Sequence, residues 1–286
     1  MNKRGRLSVF LMVTAALLAN ICLAQTCFGA DSSAKEDGMT YAQFIKEAHD
    51  SFSKTGSSEA VKSSSRNITE KEIIKGLKVK SDRWLRKNGY TDSQINQLRK
   101  LDPAGLTGKV RYSIGYRDFV SKKVRARHGS KKYWITYIVT VAKWKWINQP
   151  VSLFKDIFGV TTSAGFVKEA ASCRAVYHLV GKRELPKKVI EPAVKTRNSG
   201  KGVFSRFYLG KERLPGIGYK WKCTDGVLKT LWIADGKINT AGLASNYGHS
   251  VLGINPSVSF GGGASISFKP AVSTKYLDEA YIRARK

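Results

Sequence analysis

The side chains capable of chemistry are few and scattered. The four histidines are His49, His128, His178 and His249, and past residue 30 the only cysteines are Cys173 and Cys223. There is no His-Glu-x-x-His pair, no Gly-x-Ser-x-Gly elbow and no Cys/His set at zinc spacing. His49 falls on a helical segment beside Asp50, and His128 lies among arginines and lysines in a turn. His178 alternates with Val176 and Val180 as in a half-buried strand. A pairing of His249 with Cys173 or Cys223 as nucleophile is set aside. Both cysteines lie in strand-like sequence, not at a helix N-terminus that would lower a thiol pKa. The chain therefore reads as a binder and not an enzyme, and no cofactor or metal is expected.

Binding chemistry is better represented. In Lys143-Trp144-Lys145-Trp146, a strand would put both tryptophans on one face and both lysines on the other. Tryptophan favours a membrane interface and lysine favours anionic headgroups. The same pairing also suits bases stacked beside phosphates. Two basic clusters add to it. One is Lys122, Lys123, Arg125, Arg127, Lys131 and Lys132. The other lies in residues 182–222, where twelve Lys or Arg meet three Glu, and includes Lys187, Lys188, Arg206, Lys211 and Arg213. Together these residues are the expected polyanion- or membrane-binding footprint.

The whole chain supports that expectation. Its 286 residues carry a formal charge of +29. Self-repulsion at such a charge weakens folding, and a surface for polyanions is the usual reason to keep it. Residues 1–29 have the parts of a secretory signal peptide: Lys3, Arg4 and Arg6, then an apolar run from 7 to 19, then small residues at candidate cleavage sites between Ala24 and Ala30. Losing that leader, with three basic and no acidic residues, leaves +26. The expected localisation is extracellular. In an oxidising compartment Cys173 and Cys223 read as one disulfide, contributing about 3–4 kcal/mol on the loop-entropy argument.

The elements that must position these residues divide by period. Thr40 with Gln43, Thr69 with Glu72 and Thr91 with Gln94 have capping-box spacing, and apolar residues follow each at helical intervals. They predict helices from 40 to 52, from 69 through Leu85, and from 91 to 101, with a Ser-rich linker over 54–66. From Lys109 the period becomes two, and strands are predicted at 110–116, 133–147, 172–180, 203–209, 219–223 and 227–233. Asp235-Gly236 reads as a hairpin turn. Residues 153–158 read as a helical turn and 277–284 as a terminal helix. Residues 257–268 read as a hairpin around three glycines, its arms too short to span a bilayer. The fold class is α+β: a small helical domain or pro-region over 30–105, then a basic antiparallel β-rich domain over 106–286.

Export, charge and the absence of a catalytic motif point first to a secreted cationic protein. It would bind the anionic envelope of other bacteria and damage it, as a bacteriocin-like antimicrobial toxin does. The partner would be an anionic lipid or cell-wall polymer, with nucleic acid a weaker second, and a toxin would be accompanied by an immunity protein. A non-lethal adhesin or cell-wall protein held by charge is the first alternative. A hydrolase or nuclease acting on an anionic polymer is the second.

Overall fold

The computed structural model describes residues 38–56, 62–125, 131–151, 153–163, 165–180, 187–197, 200–216, 218–250, 252, 257–261, 265–269 and 280–285. The leader and Arg127 lie outside them, as does His128. The chain is mostly antiparallel strand, with a few helices near its start.

Each predicted capping box forms. Thr40 accepts from the Gln43 amide at the head of α1 (Tyr41–Lys54). Thr69 accepts from Glu72 in α2 (Glu70–Lys78), and Thr91 from Gln94 in α4 (Asp92–Lys100). The second predicted helix is in fact two. Ser81 caps Trp84 and starts a separate α3 (Asp82–Lys87), because a serine that accepts a backbone N–H ends one helix as it opens the next. Arg99 fastens the break by donating to the carbonyls of Lys78 and Lys80.

The larger sheet runs β1 (Lys62–Thr69), β2 (Lys109–Arg125), β3 (Lys132–Asn148), β10 (Gly218–Asp235), β5 (Val167–Leu179), β6 (Lys187–Ile190), with β9 (Gly210–Leu214) also on β10. The smaller runs β14 (Ala280–Arg285), β11 (Thr240–Gly248), β4 (Lys155–Thr162), β8 (Gly202–Tyr208), β7 (Val194–Arg197). Aromatic and aliphatic side chains of both sheets and of α2 to α4 share one core, in which Trp144 stacks on Phe207 at 4.5 Å. On the other side of the larger sheet, Phe44 and Ala48 of α1 cover Val124, Ile135, Tyr137, Val139, Leu231 and Ile233. The order of layers is helix, sheet, sheet.

Several expectations are corrected. The Ser-rich linker contains strand β1, which borrows its partner groups from β2. Residues 155–162 are strand, not helical turn: β4 lies between β11 and β8, and its run from Asp156 to Thr162 is buried on both faces, so period two is erased. The last segment is strand β14 on β11, not a helix. The Asp235-Gly236 turn occurs, with Gly236 at φ +94, but makes no hairpin. The Thr136 hydroxyl donates to the Gly236 carbonyl and accepts from the Ile238 amide, and the chain passes to the smaller sheet. Nor do the helices stand apart as a domain. Residues 38–286 form one unit, and β1 sits between helices in sequence while pairing in the large sheet. The arms β12 (Ser257–Gly261) and β13 (Ser265–Lys269) do pair with each other.

Candidate polyanion interface

Register assembles the cations. On β3, Lys143 and Lys145 point away from the core, while Trp144 and Trp146 point into it with 1% and 4% exposure. The tryptophans expected at a membrane or nucleic-acid surface are therefore interior, and Trp146 donates to the Tyr247 hydroxyl at 3.0 Å. The lysines face outward. Lys145 is in register with Arg111 on β2 and Asp225 on β10. Lys143 is in register with Val227, which faces Arg174 on β5. One step further along, Lys222 is opposite His178, itself opposite Lys187 on β6. Alternation of burial places Arg111, Lys143, Lys145, Arg174, Lys222 and Lys187 on one outer face spanning β2, β3, β10, β5 and β6. Asp225 and Glu191 are the carboxylates that the register brings nearest. Among the described residues none of Lys143, Lys145, Arg174 and Lys222 is ion-paired. Partial burial lowers the pKa of the Lys143 ammonium, so an anion brought against it restores charge stabilisation that water supplies incompletely.

The other predicted cations go elsewhere. Lys122, Lys123, Arg125, Lys131 and Lys132 gather at the opposite end of β2 and β3. Lys132 lies eleven residues from Lys143, about 36 Å along the strand. Lys122 pairs there with Glu47 of α1 at 2.5 Å, and the Arg125 amide donates to Met39. Lys188 is tied to Glu212 at 2.8 Å. Arg206 is on β8 of the smaller sheet, over Phe204, and Lys211 and Arg213 are on β9. The two basic clusters thus do not form one footprint. Arg111 and Arg174 belong to the outer face and were not singled out from sequence, because only strand register brings them beside Lys143, whereas Lys222 already falls within the basic span 182–222.

Cys173 and Cys223 are buried free thiols on adjacent strands. Cys223 is in register with Tyr177, four residues from Cys173. That is about 13 Å of strand, beyond the roughly 7 Å Cα separation a disulfide tolerates, so the expected bridge is not made. Burial pushes the Cys173 thiol up to about 12 and the Cys223 thiol well above its ordinary value, which leaves both inert.

Among the described residues, one concentration of acid–base groups lies wholly in the interior. His249, just past β11, places Nδ1 2.9 Å from Asp156 Oδ1 of β4 and Nε2 3.3 Å from Glu70 Oε1 at the head of α2. The Tyr247 hydroxyl donates to Asp156 at 2.6 Å, and the amides of Ser250 and Val151 donate to Asp156 and Glu70. Gly108 is required beside it, since a Cβ there would stand 2.5 Å from Glu70 Oε2. Burial alone would depress the imidazole pKa, but the carboxylates of Asp156 and Glu70 reverse that and raise it to about 9. These side chains have 0–1% exposure, so in this conformation they meet no substrate. The triad is a charged tie joining the helical segment to the smaller sheet. Glu70 and Asp156 were missed in the sequence; the available signal for Asp156 was a Lys-Asp pair inside an otherwise apolar run at 153–160.

No family model and no curated protein matches the chain. Among solved structures, it is similar to one described as "AvmM Catalyzes Macrocyclization in Alchivemycin A Biosynthesis", at 10% identity over 60% of this chain and 95% of that one, with TM-score 0.21. It is also similar to Clostridium perfringens delta-toxin, at 7% identity over 78% of this chain and 86% of that one, with TM-score 0.17. At such scores neither likeness carries a fold or an activity across.

Proposed function

We propose that this is an exported protein that attaches to anionic polymer or lipid of bacterial envelopes, by laying the outer face of its larger sheet on repeated negative charge. The observation that supports this reading is the band of six cations brought from five strands onto one face that no described element covers. A phosphate-bearing polymer lying across the strands meets Arg111 and Lys145 on adjacent strands, about 4.8 Å apart, and Lys143 and Arg174 two strand spacings apart. Damage to the bound cell is the further step of the proposal; attachment comes first and is measured separately.

The test is binding of inorganic polyphosphate by the full chain and by Lys143→Glu/Lys145→Glu, followed across a salt series. The variant is expected to bind at least about tenfold more weakly and to show a salt slope shallower by roughly two. Equal affinity in both proteins would overturn the assignment of this face. The same two proteins on living bacteria, with a membrane-potential dye, separate damage from attachment. Coated cells that stay polarised and viable make the protein an adhesin; depolarised cells make it a toxin.

A further inference from the structure

We infer that a second surface, at the end of the sandwich where β4 begins and β9 turns into β10, docks on an anionic lipid bilayer. The inference rests on the reading above that the partner is an anionic envelope, and it names the lipid as the component met here. Val151, Phe154 and Val180 are 70%, 42% and 42% exposed, yet they line one open groove of about 480 Å³ together with Arg213, Tyr219 and Lys222. Beside it lies the exposed ring of Tyr208. Register puts Lys155 against Tyr208, and the Leu209 amide donates to the Phe154 carbonyl, so the backbone holds Tyr208 next to the head of β4. The ammonium groups of Lys155 and Lys211 stand 4.5 and 5.1 Å from that ring.

Apolar side chains in this number rarely lie together on a soluble surface without a partner. An aqueous polyanion gains nothing from Val151 or Phe154. A water-soluble protein partner would account for the apolar residues but not for the ring of cations. Among the described carboxylates, Asp156 beside Lys155 is buried and bonded to His249, and Glu212 on β9 is held by Lys188, Lys220 and the Trp221 indole. Apolar tips inside a fringe of lysine, arginine and tyrosine match the headgroup boundary of a negatively charged bilayer. There aromatic rings favour the interface, and each cation near the surface contributes about 1 kcal/mol. Lys222 belongs to both this groove and the outer face, so lipid docking and polymer binding adjoin.

The experiment is co-sedimentation of the full chain with phosphatidylcholine vesicles, with and without about one third phosphatidylglycerol. The native chain is expected to bind only the anionic vesicles, and Val151→Ser/Phe154→Ser to bind them about tenfold more weakly. That variant should hold polyphosphate as the native chain does. Serine substitutions without effect on vesicle binding would overturn the inference. Independently of that pair, Val151→Cys, made in a full chain that also carries Cys22→Ser and Cys27→Ser, labelled with a solvatochromic dye reports insertion, since Cys173 and Cys223 are buried. Its emission is expected to move to shorter wavelength on anionic vesicles; binding without such a shift also overturns the inference. Loss of polyphosphate binding in Lys143→Glu/Lys145→Glu with lipid docking intact, or polyphosphate binding by the native chain without lipid docking, tells the two surfaces apart.

Discussion

The two sides of β3 obey the same alternation and do opposite things. Toward the smaller sheet, Ile138, Ala142, Trp144 and Trp146 are buried one after another. The other side changes character halfway along. Ile135, Tyr137 and Val139 lie under α1, and beyond the helix the same register continues as Lys143 and Lys145. Lys229 marks the boundary. Its ammonium donates to the carbonyls of Phe52 and Thr55, at 3.2 and 3.0 Å, and stacks on the Phe52 ring, closing the C-terminal end of α1. The sheet thus carries apolar residues where a helix covers it and cations where no described element does. A bare face left over from folding has no need for cations from five of its strands, and this difference is what makes that half a candidate for binding.

The largest effect should come from the interior side. Trp144 packs on Phe207 and Phe158, and its ring lies so close to Gly226 that a Cβ there would meet it at 2.1 Å. Trp144→Ala is expected to cost about 3–5 kcal/mol in urea unfolding. A cost under about 1 kcal/mol would mean that the tryptophan does not hold the layers together, and the contrast between the two sides of β3 would fail.

The buried triad gives the next effect, and its sign follows from linkage. The folded-state pKa of His249 is raised from 6.5 to about 9. Its contribution is therefore fully present below about pH 6.5 and is lost as pH rises through about 9, amounting to roughly 3 kcal/mol. Falling net charge elsewhere relieves repulsion and acts in the opposite direction. The informative quantity is thus the difference between the native chain and His249→Gln, measured by urea unfolding from pH 6 to pH 10. That difference should shrink as pH rises. A constant difference would show that the imidazole is neutral in the folded protein and that the tie is an ordinary hydrogen-bonded one.

What could be foreseen in this molecule was local. The capping boxes at Thr40, Thr69 and Thr91 are written within four residues each, and β3 announces itself by fifteen residues of aromatic and β-branched character. What was hidden depends on distant partners. Strand β4 looks helical because neighbours bury both its faces, and β1 looks like a linker because its order comes from β2. The same holds for the sites. Lys143 and Lys145 stand out by alternation alone. Arg174 and Lys222 become their neighbours only through the pairing of β10 with β3 and β5, and Glu70, Asp156 and His249 meet from three separate stretches of chain.

The smallest effect is the sharpest test of the outer face. If Lys143 and Lys145 serve a ligand and not the fold, Lys143→Ser/Lys145→Ser should leave the unfolding free energy from urea titration within about 0.5 kcal/mol of the native value, since neither lysine is ion-paired with a described residue. Serine already occupies Ser113, the β2 register partner of Lys143, on this same face, so the replacement suits the local strand. A slight gain in stability is the natural direction, because two like charges leave a crowded positive face. Polyphosphate binding should fall in the same protein. Stability lost together with binding would instead make these lysines part of the sheet's own packing, their aliphatic stems covering β10 and β2, and the uncovered half of β3 would then differ from the covered half only in what covers it.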